Sequence, residues 1–289
     1  MFCRNAQSLY LWRSKHRLQS LKPLGRADGV LLLLRNQQPD IQSLFPRKGF
    51  FYARLAGAVL SLCVPVYRLI SSEPTFPDPE DANDEGLLAV GGALSEDWLL
   101  SAYQSGIFPW FNEGDPILWW SPDPRFILYP GEVYISKSMR SKLRSGRWTF
   151  TMDLDFDTVV DRCAAKRRKG QDGTWITDTM REAYKRLHRI GMAHSAEARL
   201  DGKMVGGLYG VGIGGAFFGE SMYSDVSDAS KYALIGLCRY LEKHGCRFVD
   251  CQIYSPHLER MGAELIPRHR FLELLDEAMD DKTSSGQWT

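Results

Sequence analysis

No two of the six cysteines in this sequence stand at a C-x-x-C spacing. Cys3, Cys63, Cys163, Cys238, Cys246 and Cys251 are scattered, and no histidine follows them at a zinc spacing. That argues against a metal site. In a chain of 289 residues it also fits a reducing compartment better than a disulfide framework. Long apolar runs are lacking too: the longest, 55–67 ("LAGAVLSLCVPVY"), has thirteen residues, too few to span a bilayer. There is no internal repeat and no low-complexity tract. Acids are scarce in the first seventy residues, which hold eleven of the 36 Lys and Arg but only two of the 35 acids, Asp28 and Asp40. The rest of the chain carries 25 bases and 33 acids, a net of −8. A basic head with Arg47, Lys48 and Arg54 ahead of an apolar run has the composition of a signal or transit segment. The body, in a chain 44% hydrophobic and 25% charged, reads as a soluble globular protein.

Aromatic and proline residues are concentrated in "GIFPWFNEGDPILWWSPDPR" (106–125), with three tryptophans, two phenylalanines and four prolines. Prolines so spaced exclude a helix and a central strand. A stiff, irregular segment presenting flat aromatic faces is expected. Before it, Ser95 caps a short helix, "EDWLLSAYQ", that Gly106 stops. After it come a strand at 125–129, a helix at 136–146 and a strand at 148–152. Two further helices follow, the first ending in Lys166 to Lys169. A hairpin turns at Asp201-Gly202, "GAFFGESM" is a strand, and "DASKYALIGLCRYLEKHG" is a long helix. "CRFVDCQI" is a buried strand, Ser255-Pro256 opens another helix, and "PRHRFLELLDEAM" closes the fold. Strands and helices mix without βαβα alternation, which predicts an α+β protein.

Two strands carry polar residues among apolar ones. In "FVDCQI" (248–253), Asp250 and Gln252 lie on one face, Val249 and Cys251 on the other. In "FFGESMYS" (217–224), Glu220 follows two phenylalanines and a glycine. A polar group in such a strand is either hydrogen-bonded structure or part of a site. Lys137, Arg140, Lys142 and Arg144 crowd the helix at 136–146. In an acidic body such a cluster reads as an anion footprint, and aromatics beside it suit unpaired nucleotides. A solvated face and a packed core are the plain alternatives.

The ordered stretches "GLLAVGGALS", "GIFPWF", "DPILWWSPDPR", "GTWIT", "AHSAEA", "GGLYGV", "GESM", "DASK" and "DCQ" resemble the leucyl/phenylalanyl-tRNA–protein transferases, from about Val64 to Met279. The resemblance implies transfer of Leu or Phe, with Met as a third candidate, from Leu-tRNA or Phe-tRNA to proteins with an N-terminal Arg or Lys. That addition marks the protein for degradation. It implies a small N-terminal α/β domain (64–125), then an acetyltransferase-like domain (126–281) and a disordered tail (282–289). No cofactor and no metal are implied, since the aminoacyl-tRNA is itself the activated donor. Asp250 and Gln252 match the catalytic pair, with Gln252 as proton acceptor polarised by Asp250, and Glu220 matches an acid near the acceptor. Trp110, Trp175 and Tyr184 match the terminal-adenosine site. Phe217, Met222, Leu234, Leu237 and Val249 match the donor side-chain pocket. Lys137, Arg140, Lys142 and Arg144 are expected on the tRNA phosphates. A cytoplasmic monomer without membrane contact is expected.

The rival readings are an acetyl-CoA-dependent acetyltransferase, whose glycine-rich loop would precede a helix where "YGVGIGG" leads into a strand, and a non-enzymatic RNA-binding module. Family members often begin near a "PVYRL"-like run, so residues 1–63 are expected to be non-native or disordered. A chain starting at Val64 should then fold and keep its activity; loss of either on truncation would make the head part of the enzyme.

Overall fold

The computed structural model describes residues 66–166, 175–281 and 288. The expected extension 1–63 lies outside the described residues, as do Arg167 to Lys169 and all of the expected tail except Trp288.

The first part builds on apolar "LLAVG". Strands β1 (Tyr67–Leu69) and β2 (Leu87–Gly91) are followed by helix α1 (Glu96–Gln104) and strands β3 (Phe108–Pro109) and β4 (Leu118–Trp120). They form one sheet in the order β1-β2-β4-β3. The segment expected to be wholly irregular thus contributes two short strands. Pro109 sits on edge strand β3, where a missing N–H is tolerated, and central β4 contains no proline. Ser95 is at the N-cap of α1, but its hydroxyl makes no capping bond.

The second part runs β5 (Arg125–Leu128), α2 (Lys137–Arg144), β6 (Trp148–Met152), α3 (Phe156–Ala165), α4 (Asp178–Arg189), β7 (Ala193–Leu200), β8 (Lys203–Ile213), β9 (Ala216–Ser224), α5 (Ala229–Lys243), β10 (Phe248–Gln252), α6 (Pro256–Glu259), β11 (Glu264–Ile266) and α7 (Arg268–Met279). Seven strands form one sheet in the order β11-β5-β10-β9-β8-β7-β6. Only β9 and β10 pair in parallel. The class is α+β, as the order of elements predicts. Strand β11 was not foreseen.

Alternation along the strands sends apolar side chains to both faces. Phe218 and Phe248 join Tyr103 of α1, Val159 of α3, Met180 of α4 and Phe271 of α7 in one core. Phe217 and Val249 join Met139 of α2 and Leu234 and Leu237 of α5 in the other. No helix among the described residues is long and apolar enough to cross a membrane.

Two irregularities break the sheet at its centre. Tyr209 faces Ser221 and Gly210 faces Gly219, leaving Glu220 as an extra residue on β9. Asp250 faces Ile127 and Gln252 faces Phe126, leaving Cys251 extra on β10. Such bulges bend a strand and re-aim side chains. The β9–β10 pairing ends at Asp250 and Phe218 although β9 continues to Ser224. Past that point the two strands part.

The two parts meet at Arg125. It is fully buried and makes a bidentate ion pair with the equally buried Asp250, Nε to Oδ1 at 2.9 Å and Nη2 to Oδ2 at 2.7 Å. Its guanidinium lies 4.9 Å from the Phe108 ring centre and 4.4 Å from that of Phe271. Removing one partner of such a pair leaves an uncompensated buried charge. Arg125→Ala should therefore cost about 3–5 kcal/mol in urea unfolding. The double change Arg125→Met with Asp250→Leu should cost less than either single truncation. A single variant as stable as wild type would show that the pair does not anchor the fold.

Candidate active site

Where β9 and β10 part lies a narrow cleft lined by Phe108, Pro109, Trp110, Trp175, Glu220, Gln252 and Ile253. Four of the residues expected at the site thus share one cavity. Trp110 is held from behind: the Trp120 indole donates to its carbonyl at 2.7 Å, with the rings 5.7 Å apart. Trp119 packs within the first part, stacked on Trp98 and edge-on to Phe76. Trp175 just precedes Thr177, whose hydroxyl caps α4. Its buried Nε1 has no hydrogen-bond partner, so it is a donor available to whatever enters.

Tyr184 lies behind the cleft wall and not in its lining. Its ring is fully buried and presents no face to the cleft, because the inner side of α4 packs on the sheet. Its hydroxyl donates to Glu220 Oε2 at 2.6 Å. Tyr103, which the sequence did not single out, donates to Oε1 at 2.7 Å, and the Gln252 amide reaches the same oxygen at 3.0 Å. The two phenol oxygens are 2.7 Å apart. Glu220 is 1% exposed. Burial pushes its carboxyl up to about 7, against the three hydrogen bonds that favour the charged form, while Asp250 raises it further. Burial raises both tyrosines well above the usual phenol range.

The expected link between Asp250 and the Gln252 side chain is absent. Asp250 is spent on Arg125, and what it accepts from Gln252 is the backbone N–H, to Oδ1 at 2.8 Å. The bulge at Cys251 is the reason, since the two side chains no longer stand two residues apart on a regular strand. Gln252 takes a left-handed φ of 64°, which is costly for a side-chain-bearing residue. Its amide is thereby turned to Glu220.

On the other face lies a separate, narrow apolar pocket, and all five expected pocket residues line it: Phe217, Met222, Leu234, Leu237 and Val249. The neighbouring tail residue Trp288 is buried, stacked on His194 at 3.7 Å and 6.0 Å from Phe217. At this one position the expectation of a disordered tail does not hold.

Of the expected phosphate-binding residues, Lys137, Arg140 and Arg144 are exposed on α2. Lys142 differs: its ammonium is 2.9 Å from Asp228, which also holds Lys231.

The Glu220 carboxyl is raised from 4.5 to about 7, so between those values the folded state holds a proton that the unfolded state has lost. The stability it contributes is present at low pH and is lost as pH rises through about 7. The unfolding midpoint of wild type, relative to Glu220→Gln, should fall between pH 5 and pH 7. A pH-independent difference would mean an ordinary carboxyl.

The family model described as "Leucyl/phenylalanyl-tRNA protein transferase" matches residues 127–276, and that of its N-terminal domain matches residues 92–123. A leucyl/phenylalanyl-tRNA–protein transferase of Solidesulfovibrio magneticus is 52% identical over 225 residues, 78% of this chain and 91% of the relative. One from an Anaeromyxobacter species is 52% identical over 223 residues, 77% of this chain and 94% of the relative. Among solved structures, a GCN5-related N-acetyltransferase from Kribbella flavida is similar at 10% identity and a TM-score of 0.30, over 58% of this chain and 59% of that one. On its family matches and its close relatives, the chain belongs to the leucyl/phenylalanyl-tRNA–protein transferase family and is an aminoacyltransferase.

Proposed function

We propose that this chain moves Leu or Phe from aminoacyl-tRNA to the N-terminal Arg or Lys of acceptor proteins, and so creates a degradation signal. The observation that carries this reading is the pairing of an aromatic cleft with an apolar pocket across the parted strands β9 and β10. Trp110 and Trp175 take the terminal adenosine, and the donor side chain lies among Phe217, Met222, Leu234, Leu237 and Val249. Methionine at 222 lets one pocket accept a branched and an aromatic side chain. The reaction needs no cofactor, because the ester of the donor is already activated. The protein acts as a cytoplasmic monomer.

The acceptor's α-amine attacks the ester carbonyl carbon, the carbon–nitrogen bond forms, and the ribose oxygen leaves. Gln252 lines the path of the amine and orients it, which is a matter of position more than of proton affinity. Asp250 acts behind it: with Arg125 it holds the Gln252 backbone in place. Lys137, Arg140 and Arg144 offer charge to tRNA phosphates. Lys142 has to give up Asp228 to do the same.

The test is transfer of labelled Phe from Phe-tRNA to peptides beginning with Arg, Lys or Ala. Product with the first two alone is expected; product from acetyl-CoA, or none, sinks the reading. Leu234→Phe narrows the pocket and should lower transfer of Phe relative to Leu by roughly tenfold or more. An unchanged ratio would move the donor side chain elsewhere.

A further inference from the structure

Gln252 carries an amide, which is a poor base, and Asp250 is neutralised by Arg125. Neither is suited to take the proton that the attacking amine must lose. The cleft wall holds one group that is. We infer that Glu220, closed into a ring with Tyr103 and Tyr184, accepts that proton; this rests on the transfer reaction proposed above.

The argument is a count of protons. Three short contacts close the ring: Tyr103 Oη to Tyr184 Oη at 2.7 Å, Tyr103 Oη to Glu220 Oε1 at 2.7 Å, and Tyr184 Oη to Glu220 Oε2 at 2.6 Å. Each contact is a hydrogen bond only if one proton lies between its oxygens. Two phenols bring two protons. With Glu220 ionised, one contact therefore brings lone pairs together at hydrogen-bond distance. A third proton, on Glu220, completes the ring. The phenols cannot make good the deficit by ionising, since burial holds both far above the usual phenol range. Glu220 is thus the member of the ring with room for the third proton.

Position agrees. Glu220 is the extra residue of the β9 bulge and lines the cleft beside Trp110, Trp175 and Gln252. Gln252 donates its amide to Oε1, which fixes the carboxylate at the place where the amine arrives. The titratable groups around it come from every element packed there: Tyr103 from α1, Tyr184 from α4, Tyr209 from β8, and Asp250 from β10 with Arg125 of β5. A peptide α-amine loses its proton near pH 8, and burial brings Glu220 up to about 7, so the two affinities are close, as efficient transfer requires.

The step balances. The amine nitrogen bonds to the carbonyl carbon, its proton passes to Glu220, the bond from carbon to the ribose oxygen breaks, and the same proton goes to that oxygen. Nothing is oxidised or reduced, and Glu220 ends as it began.

The test is single-turnover transfer from saturating Phe-tRNA to an Arg-initiated peptide, followed from pH 5.5 to 8.5, on the full chain. Wild-type turnover establishes the reaction, so failure of that reading is seen first and separately. The wild-type rate should climb through two limbs, one near pH 7 for Glu220 and one near pH 8 for the amine itself. Glu220→Gln should lose about 10²–10⁴-fold and the limb near pH 7 alone, with Phe-tRNA affinity within about threefold. Changing both Tyr103 and Tyr184 to Phe should move that limb to higher pH, because burial remains while two hydrogen bonds to the charged form are gone. An infrared band of a protonated carboxyl that titrates near pH 7 and is missing in Glu220→Gln would place the proton directly. The inference falls if Glu220→Gln keeps the Glu220 limb of the wild type, or if its whole loss is weaker tRNA binding. It falls also if the tyrosine pair changes the rate without moving that limb.

Discussion

The buried pair of Arg125 and Asp250 is the constraint on which the site depends. Arg125 lies at the end of the aromatic segment and opens the large sheet, so one side chain ties the chain's first part to its second. Its guanidinium is gripped between Phe108 of the small sheet and Phe271 of the last helix. Asp250 faces it from the neighbouring strand β10. Two charges taken from water are costly unless the geometry is close to ideal, and here a planar fork meets a carboxylate bidentately. The same carboxylate then accepts the Gln252 N–H, which holds a backbone turn that strand pairing alone would not.

Glu220 is held by a different logic. Its partners come from three elements distant in sequence: Tyr103 of α1, Tyr184 of α4 and Gln252 of β10. A carboxyl buried among hydroxyls has its charge disfavoured by the low dielectric and favoured by each hydrogen bond, and burial wins here by a margin that leaves it near neutrality. That balance depends on helix α1, which belongs to the first part. The smaller part is therefore a component of the site and not merely an appendage to the larger sheet.

Much of this was legible in the sequence. The helix stop at Gly106 has a positive φ as its turn chemistry requires, and the hairpin at Asp201-Gly202 pairs β7 with β8. Trp110, Trp175, Glu220 and Gln252 meet in one cleft, and the five apolar residues share one pocket. What was not legible depends on contacts between distant segments. Nothing local marks Tyr103 in "EDWLLSAYQ" as a partner of Glu220 more than a hundred residues on. Arg125 reads as one more surface cation until the sheet closes over it. Alternation places Asp250 and Gln252 on the Phe108 side and Val249 and Cys251 in the opposite core, but the bulge that turns the Gln252 amide to Glu220 is a matter of register with a neighbouring strand, which a single strand cannot reveal. Tyr184 followed the apolar face of its helix inward, where no stacking surface is left.

The two bulges also explain how an aromatic cleft and an apolar pocket come to lie on opposite sides of one opening. In an unbroken sheet, β9 and β10 would stay paired, and their side chains would alternate between two cores with no passage from one face to the other. An extra residue in each strand stops the pairing at Asp250 and Phe218, and the strands separate where Glu220 and Gln252 stand. The hydrogen bond between those two side chains replaces the missing backbone pairing across the gap. Aromatic surface lies on one side of this opening and apolar lining on the other. An aminoacyl ester has the same polarity, with a flat nucleoside at one end and an apolar side chain at the other. On the proposed reading, such an ester threads the gap with its reacting carbonyl beside the carboxyl group of Glu220.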